Sequence, residues 1–448
     1  MKLPKVLIFG QAFNNKYGGG ITLSNLFKGW SEDRIAVAAT GHIMYSITTD
    51  ICRDYYQLGE NEFKWKFPFN LIQRQYKSGP MIFNTEQEGG NKNRKKNILR
   101  HIIVNQVFYP ILKQAGLFHG LTRIRMSSEF QAWLSRFKPE ILYLQVTTRD
   151  SIVFASELID HLKIPSVIHI MDDWPSTISN EGLFKKYWTR KIDKEFKLLL
   201  TKINLYFSIS NSMSVEYLKR YNKQFKAFHN PIDTSKYKIS KNVFKPLGHK
   251  VRILYTGRIG VANKNTIKHF ANFISKNPLN RRIIEFDIYT SNVDSPLAKK
   301  LNRLNSVKVI PAVKYDEVPD LFSRYDILLL PLDFTSQGQK YAQFSIPTKA
   351  SEYMASGIPI LVYAPGQTAI SQFVSKYNCG HCVTELDFLK LEEALELMIN
   401  DVEYRSVLSR NAIETAFDLF DSRKVRKEFE LQLINLSNFV FEKNNQVI

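Results

Sequence analysis

The segment FSIPTKASEYMASGIPILVY, Phe344 to Tyr363, holds a polar loop, a short helix, a glycine stop and an apolar strand. Pro347 has a fixed φ suited to a helix start, and the Thr348 hydroxyl can cap the free N–H groups there. Lys349 to Ser356 then supply about two turns with Glu352 inside, before Gly357 and Pro359 end the helix. The run IPILVY has the unbroken apolar character of a parallel strand covered on both faces. A helix start leaving an open α/β sheet is a place for an anion, and a carboxylate one turn inside it reaches sugar hydroxyls. The pairing suits a ligand with a diphosphate at one end and a ribose at the other.

The same strand–helix alternation runs through the chain. KVLIFG, RIAVAAT, EILYLQ, PSVIHIM and NLYFSIS read as strands in the first half, with ITLSNLFKGW and SIVFASELIDHL as helices. VRILYTG, IIEFDIYT, VKVIPA, DILLLPL and IPILVY repeat the pattern in the second half. At 448 residues two cores are expected, and the polar stretch between Asp233 and Leu247 reads as the linker. The expected division is a first Rossmann-like domain at 1–236, a linker at 237–247, a second domain at 248–420 and a helical tail at 421–448. The region from about 55 to 138 departs from the βαβ rhythm and reads as an elaboration of the first domain.

A hydrophobic content of 44% with 23% charged residues excludes global disorder. The apolar runs are strand-sized, so no membrane-spanning helix is expected, and MKLPKVLIFGQ reads as a first strand rather than a leader. Three cysteines argue for a reducing compartment, and Cys379-Gly-His-Cys382 reads as a turn into the strand HCVTEL. The net charge of +20 is uneven. Asn91 to Lys138 holds ten Lys/Arg against one acidic residue, and Phe184 to Lys226 holds eleven against three. Both interleave charge with aromatic and aliphatic residues, a pattern that suits an anionic membrane surface or a solvated basic face. No recognition-helix, RNP-like or zinc-finger pattern accompanies the charge, so nucleic acid is not expected. No GxSxG, HExxH or Walker A run occurs.

Four further segments carry candidate chemistry. VRILYTG leads into Gly257-Arg258, and Lys264 follows six residues on, a pair that can grip a diphosphate and neutralise charge on a leaving group. After the first strand, Gly18, Gly19 and Gly20 precede a helix, where backbone N–H groups can approach a phosphate. VIHIMDDWP brings His169, Asp172 and Asp173 to the end of a strand, where ligands of α/β sheets bind. Adjacent aspartates on a strand point to opposite faces, so no metal site is expected. The end of VKVIPA presents backbone near Val313.

Arg258-x5-Lys264 followed roughly ninety residues later by the Glu352 helix resembles the donor-binding half of family-4-like glycosyltransferases of the GT-B fold. The resemblance implies an α/β chain of two Rossmann-like domains facing a cleft, with the tail crossing back to the first. It implies a retaining, metal-independent hexosyltransferase that uses a UDP- or GDP-sugar as substrate and no separate cofactor. Arg258 and Lys264 would hold the diphosphate, with Gly19, Gly20, Ser345, Thr348 and Lys349 beside it. Glu352 would bind ribose and Val313 the base, while His169, Asp172 and Asp173 would face the sugar and acceptor, with Asp172 catalytic. IMDDWP is similar to the family's H-D-x-W-P, with Met171 where the histidine stands. The family's Glu-x7-Glu would begin at Phe344, so Gln343 or Ser345 is left to serve there. The basic segments imply a lipid-linked or membrane-proximal acceptor in surface polysaccharide assembly, with a cytoplasmic enzyme peripheral to the inner face of the membrane. The other readings are a non-catalytic GT-B partner protein that binds nucleotide or membrane, and a nucleotide-sugar 2-epimerase.

Overall fold

A computed structural model describes residues 3–15, 18–41, 43–67, 69–73, 75–83, 108–178, 182–237, 245–276, 279 and 282–445. Much of the first basic segment (91–107) and most of the expected linker (238–244) lie outside these residues. The chain divides into two compact units.

The first unit comprises Met1–Ser208, Tyr217–Lys226 and Glu428–Ile448. Its strands are β1 (Val6–Phe9), β2 (Ile35–Thr40), β3 (Asp54–Leu58), β4 (Phe63–Trp65), β5 (Gly79–Pro80), β6 (Thr122–Ile124), β7 (Ile141–Leu144), β8 (Ser166–Ile170), β9 (Leu205–Ser208) and β10 (Lys226–Ala227). The sheet order is β10-β9-β8-β7-β1-β2-β3-β5. Pairing is parallel from β9 through β3, and β5 closes the edge antiparallel to β3. The continuous apolar runs arise because both faces are covered: every residue of β1, β7 and β8 is buried. β1 pairs with both β2 and β7, so the strand order reverses there and leaves a crevice beyond the carboxyl ends of β1 and β7. β4 and β6 form a separate antiparallel ribbon in the region that departs from the βαβ rhythm. The helix Ser422–Asn445 places Phe429 against Phe27, Tyr143 and Phe207, with ring centroids 5.1, 6.0 and 5.7 Å apart.

The second unit comprises Ile209–Glu216 and Ala227–Lys427. It reaches upstream of the expected boundary at 236 because Ile232 pairs with the end of the unit. The Ile232 N–H donates to the Phe420 carbonyl at 2.9 Å, the Ser422 N–H donates to the Ile232 carbonyl at 2.8 Å, and Thr234 bonds Asp421 at 2.6 Å. Its all-parallel sheet holds β11 (Lys250–Thr256), β12 (Ile283–Thr290), β13 (Val307–Pro311), β14 (Ile327–Pro331), β15 (Ile360–Tyr363) and β16 (His381–Val383), in the order β13-β12-β11-β14-β15-β16. Alternate residues feed two cores. Leu254, Leu328, Leu330, Ile360 and Val362 pack on one face, and Ile253, Tyr255, Ile327, Leu329 and Leu361 on the other. β11 pairs with both β12 and β14, so this sheet also has a reversal, at the carboxyl ends of β11 and β14.

The helix expected after Pro347 spans Thr348–Ser356 and ends at Gly357 with φ +68°. One detail differs. Pro347 itself is the capping residue and no side chain caps the helix, because Thr348 is already its first residue. Cys379 and Cys382 are free thiols, and the strand they lead into is β16.

Candidate functional site

At the reversal in the second unit, β11 ends at Thr256 and the chain turns through Gly257, whose φ of +132° disfavours any side chain. A Cβ there would also lie 2.3 Å from Lys349 Nζ, so the bare glycine leaves the space in which that ammonium sits. Arg258 follows, exposed, with its backbone fixed from below. Its carbonyl accepts the Tyr255 hydroxyl at 2.8 Å and the Asn263 amide at 3.1 Å. Asn263 Oδ1 accepts the Gly260 N–H at 2.9 Å, and Asn292 Nδ2 donates to the Ile259 carbonyl at 2.9 Å.

Lys264 is the exposed first residue of the helix Lys264–Ser275. That helix start is capped from a distance. Asp333, 1% exposed just beyond β14, accepts the Asn265 N–H at 3.1 Å and the Thr335 N–H at 2.9 Å. Its own N–H donates to the Ala262 carbonyl at 2.7 Å. Since this helix dipole already faces a carboxylate, an anion here would depend on the Arg258 and Lys264 side chains more than on the helix.

The helix Thr348–Ser356 buries Ala350, Ser351, Tyr353, Met354, Ala355 and Ser356, which leaves Thr348, Lys349 and Glu352 half-buried on its other face. Two bonds bring it to the end of β11. The Tyr353 hydroxyl accepts the Thr256 N–H at 3.0 Å, and Lys349 Nζ donates to the Tyr255 hydroxyl at 3.0 Å while lying 4.2 Å from the centre of that ring. Segments separated by 94 and 97 residues of sequence thus form one wall.

Burial pushes the Glu352 carboxyl up to about 7, against a Tyr315 hydroxyl bond and the Lys349 charge that both pull it down. Burial also depresses the Lys349 ammonium to about 7, with the Glu352 charge opposing. Val313, half-buried beyond β13, packs on the same core, two residues from Tyr315. Phe344 and Ser345 are half-buried before the helix, and the Phe344 carbonyl accepts a hydrogen bond from the Ser210 hydroxyl.

In the first unit the reversal gathers Gly19, Gln145 and Met171. Gln145 Nε2 donates to Met171 Sδ at 3.4 Å, and a Cβ on Gly19 would lie 2.9 Å from that sulfur. The glycine triplet forms the first turn of the helix Gly18–Phe27. Gly20 is not open to a ligand: it is buried, and a Cβ would fall 1.7 Å from Asn14 Nδ2. Asp172 is exposed beyond β8.

Two neighbours expected to face a ligand are interior groups. His169 is 2% exposed, its Nδ1 shares a 2.5 Å hydrogen bond with the Tyr143 hydroxyl, and burial depresses it to about 3. Both faces of β8 are covered, so alternation along the strand does not bring His169 out. Asp173 is 4% exposed and pairs with Arg220 at 2.9 Å and the Tyr217 hydroxyl at 3.0 Å. Among the described residues no three His, Cys, Asp or Glu side chains converge as a metal site.

Sequence reasoning missed Tyr255, Tyr315 and Asp333. A tyrosine within an apolar strand reads as core, but an aspartate directly after ILLLPL, just before a Thr-Ser helix start, was a usable signal.

With two α/β units whose sheets each reverse in strand order, this chain has the GT-B fold. Residues 280–416 match the family model described as Glucosyltransferase 3-like, C-terminal domain. No curated protein matches the chain in sequence. Among solved structures, HepE from Anabaena in complex with UDP and glucose is similar at 13% identity and a TM-score of 0.60, over 96% of this chain and 99% of that one. Sucrose-phosphate synthase from Thermosynechococcus elongatus is similar at 12% identity and a TM-score of 0.61, over 98% and 99%. A glycosyltransferase from Rickettsia africae is similar at 10% and 0.57, over 97% and 99%.

Proposed function

We propose that this chain is a glycosyltransferase that takes a hexose from a nucleotide-sugar and delivers it, with retention, to a hydroxyl acceptor. The observation that carries the reading is the wall formed by the Arg258 turn, the Lys264 helix start and the Lys349–Glu352 face. Arg258 and Lys264 neutralise the diphosphate as its bond to the sugar breaks. Ser345 and the uncapped helix start at Thr348 and Lys349 offer further donors. Glu352, ionised, accepts ribose hydroxyls, and the backbone at Val313 meets the base. With cationic side chains on the diphosphate, the transfer needs no metal.

The acceptor oxygen bonds to the anomeric carbon as the diphosphate leaves from the same face, and a diphosphate oxygen takes the acceptor proton. Asp172 orients the acceptor hydroxyl, with Gly19 allowing close approach beside it. The similarity to HepE, solved with UDP and with UDP-glucose, supports a UDP-sugar as donor.

The acceptor is lipid-linked, as in surface polysaccharide assembly, and the protein works peripherally on an anionic membrane. Support comes from the helix Lys185–Thr201, where exposed Lys185, Lys186 and Arg190 stand beside Leu183, Phe184 and Tyr187, which are 78, 54 and 53% exposed. Among the described residues no helix is long and apolar enough to cross a membrane.

Incubation with UDP-, GDP- and ADP-sugars and a membrane lipid extract tests the reading. Nucleotide release with one donor is expected, and release with none refutes it. A non-catalytic nucleotide-binding role is the second reading, favoured by Phe344 and Met171 in the positions of a glutamate and a histidine. Nucleotide binding without release would select it.

A further inference from the structure

The Tyr255 hydroxyl is the point at which the two halves of the candidate donor wall meet. It donates to the Arg258 carbonyl at 2.8 Å and accepts from Asn263 Nδ2 at 2.7 Å and from Lys349 Nζ at 3.0 Å. One hydroxyl therefore uses its single proton and both lone pairs on three groups from two segments. Its ring is the floor of the ammonium cradle, with Gly257 forming the open side. The residue is fully buried, so its hydroxyl is held in one place and removing it takes three hydrogen bonds from the wall at once.

We propose that Tyr255 is a positioning residue for the diphosphate of a nucleotide ligand, holding the Arg258 turn and the Lys349 ammonium in one fixed arrangement. This rests on the nucleotide reading of the site. The Tyr255 hydroxyl bonds the two residues assigned to the diphosphate side, Arg258 and Lys349, rather than Glu352 or Val313. Glu352, which serves the ribose, is bonded by the Tyr315 hydroxyl and feels the Lys349 charge. The Tyr255 hydroxyl therefore acts on the part of the ligand that carries the diphosphate, and its loss is felt chiefly by nucleotides that have the second phosphate. Lys349 supports the same view, since an ammonium held near its titration point by burial gains most from a nearby dianion.

The test is calorimetric titration of wild type, Tyr255→Phe, Arg258→Ala and the double variant with UDP and UMP, and with GDP and GMP. Tyr255→Phe keeps the ring and is expected to weaken the diphosphate about tenfold while changing the monophosphate less than twofold. On the Arg258→Ala background the same change is expected to cost clearly less than in wild type, because only the Lys349 ammonium is then left for the hydroxyl to position. Equal losses for mono- and diphosphate, or losses that add in the double variant, overturn the proposal. If Tyr255→Phe does not fold, Asn263→Ala disturbs the same hydroxyl from a half-buried position. It is expected to reproduce the diphosphate-selective loss, and full diphosphate affinity in that variant overturns the proposal. Wild-type protein that binds none of the four nucleotides refutes the nucleotide reading itself.

Discussion

Asp333→Asn separates the capping role of Asp333 from its size. The two carboxylate oxygens accept one N–H each, from Thr335 at 2.9 Å and from Asn265 at 3.1 Å. Asparagine has the same shape but offers one oxygen and one NH2, so one of those N–H groups faces another donor in a site that is 1% exposed. An unpaired buried donor costs about 1–3 kcal/mol. Losing the negative charge at the start of the Lys264–Ser275 helix adds ~0.3–1 kcal/mol. For a unit of roughly two hundred residues each kcal/mol shifts the melting point by about 2–4 °C, so a fall of about 3–16 °C is expected. Differential scanning calorimetry reads it, and UDP titration of the folded variant reads the second consequence, weaker diphosphate binding as Lys264 loses its anchor. A variant that melts within about 1 °C of wild type and binds UDP equally would refute the capping argument.

Proton linkage is expected at the Lys349–Glu352 face. The native Lys349 binds fewer protons than the unfolded chain between about 7 and its ordinary 10.5, so that group's contribution favours folding increasingly as pH rises through this window. Glu352 binds more protons in the native state between 4.5 and about 7, so its contribution declines as pH rises across that range. A diphosphate favours the charged ammonium. UDP affinity should therefore fall from pH 7 to 9 with proton uptake on binding, seen as a dependence of binding heat on buffer ionisation, and Lys349→Met should abolish the dependence. Unchanged proton uptake in that variant would reassign the titration. His169→Phe should cost about 0.5–1.5 kcal/mol by removing its hydrogen bond with the buried Tyr143 hydroxyl, with UDP affinity unaltered. A loss of UDP binding without loss of stability would return His169 to the site. Sedimentation with anionic vesicles should fall when Lys185 and Lys186 are changed to Glu, and indifference to anionic lipid content would end the membrane claim.

The large sheets were legible because a strand covered on both faces must be apolar throughout, and KVLIFG, RIAVAAT, DILLLPL and IPILVY all are. β3, DYYQL, was not read as a strand, since its polar ends and paired tyrosines break that signature although it joins the same sheet. The candidate site was legible where a charged residue follows a strand, as at Arg258, or breaks an apolar helix, as at Glu352. It was not legible where a role depends on contacts between distant segments. Tyr255 alternates correctly into the core, and only the fold brings Lys349 onto its ring. His169 erred the other way: a polar residue near a strand end resembled a site residue, but Tyr143 satisfies it inside. Asp173 likewise has its charge answered by Arg220.

Phe429 has a consequence for synthesis. Its ring completes the aromatic packing around Phe27, Tyr143 and Phe207, yet it leaves the ribosome more than two hundred residues after Ser208, with nearly all of the second unit made in between. At ~5–20 residues per second that interval is on the order of 10–40 s. During it the nascent first unit holds an open apolar seat, so chaperone engagement should be greatest while the second unit is being translated and should end when the final helix arrives.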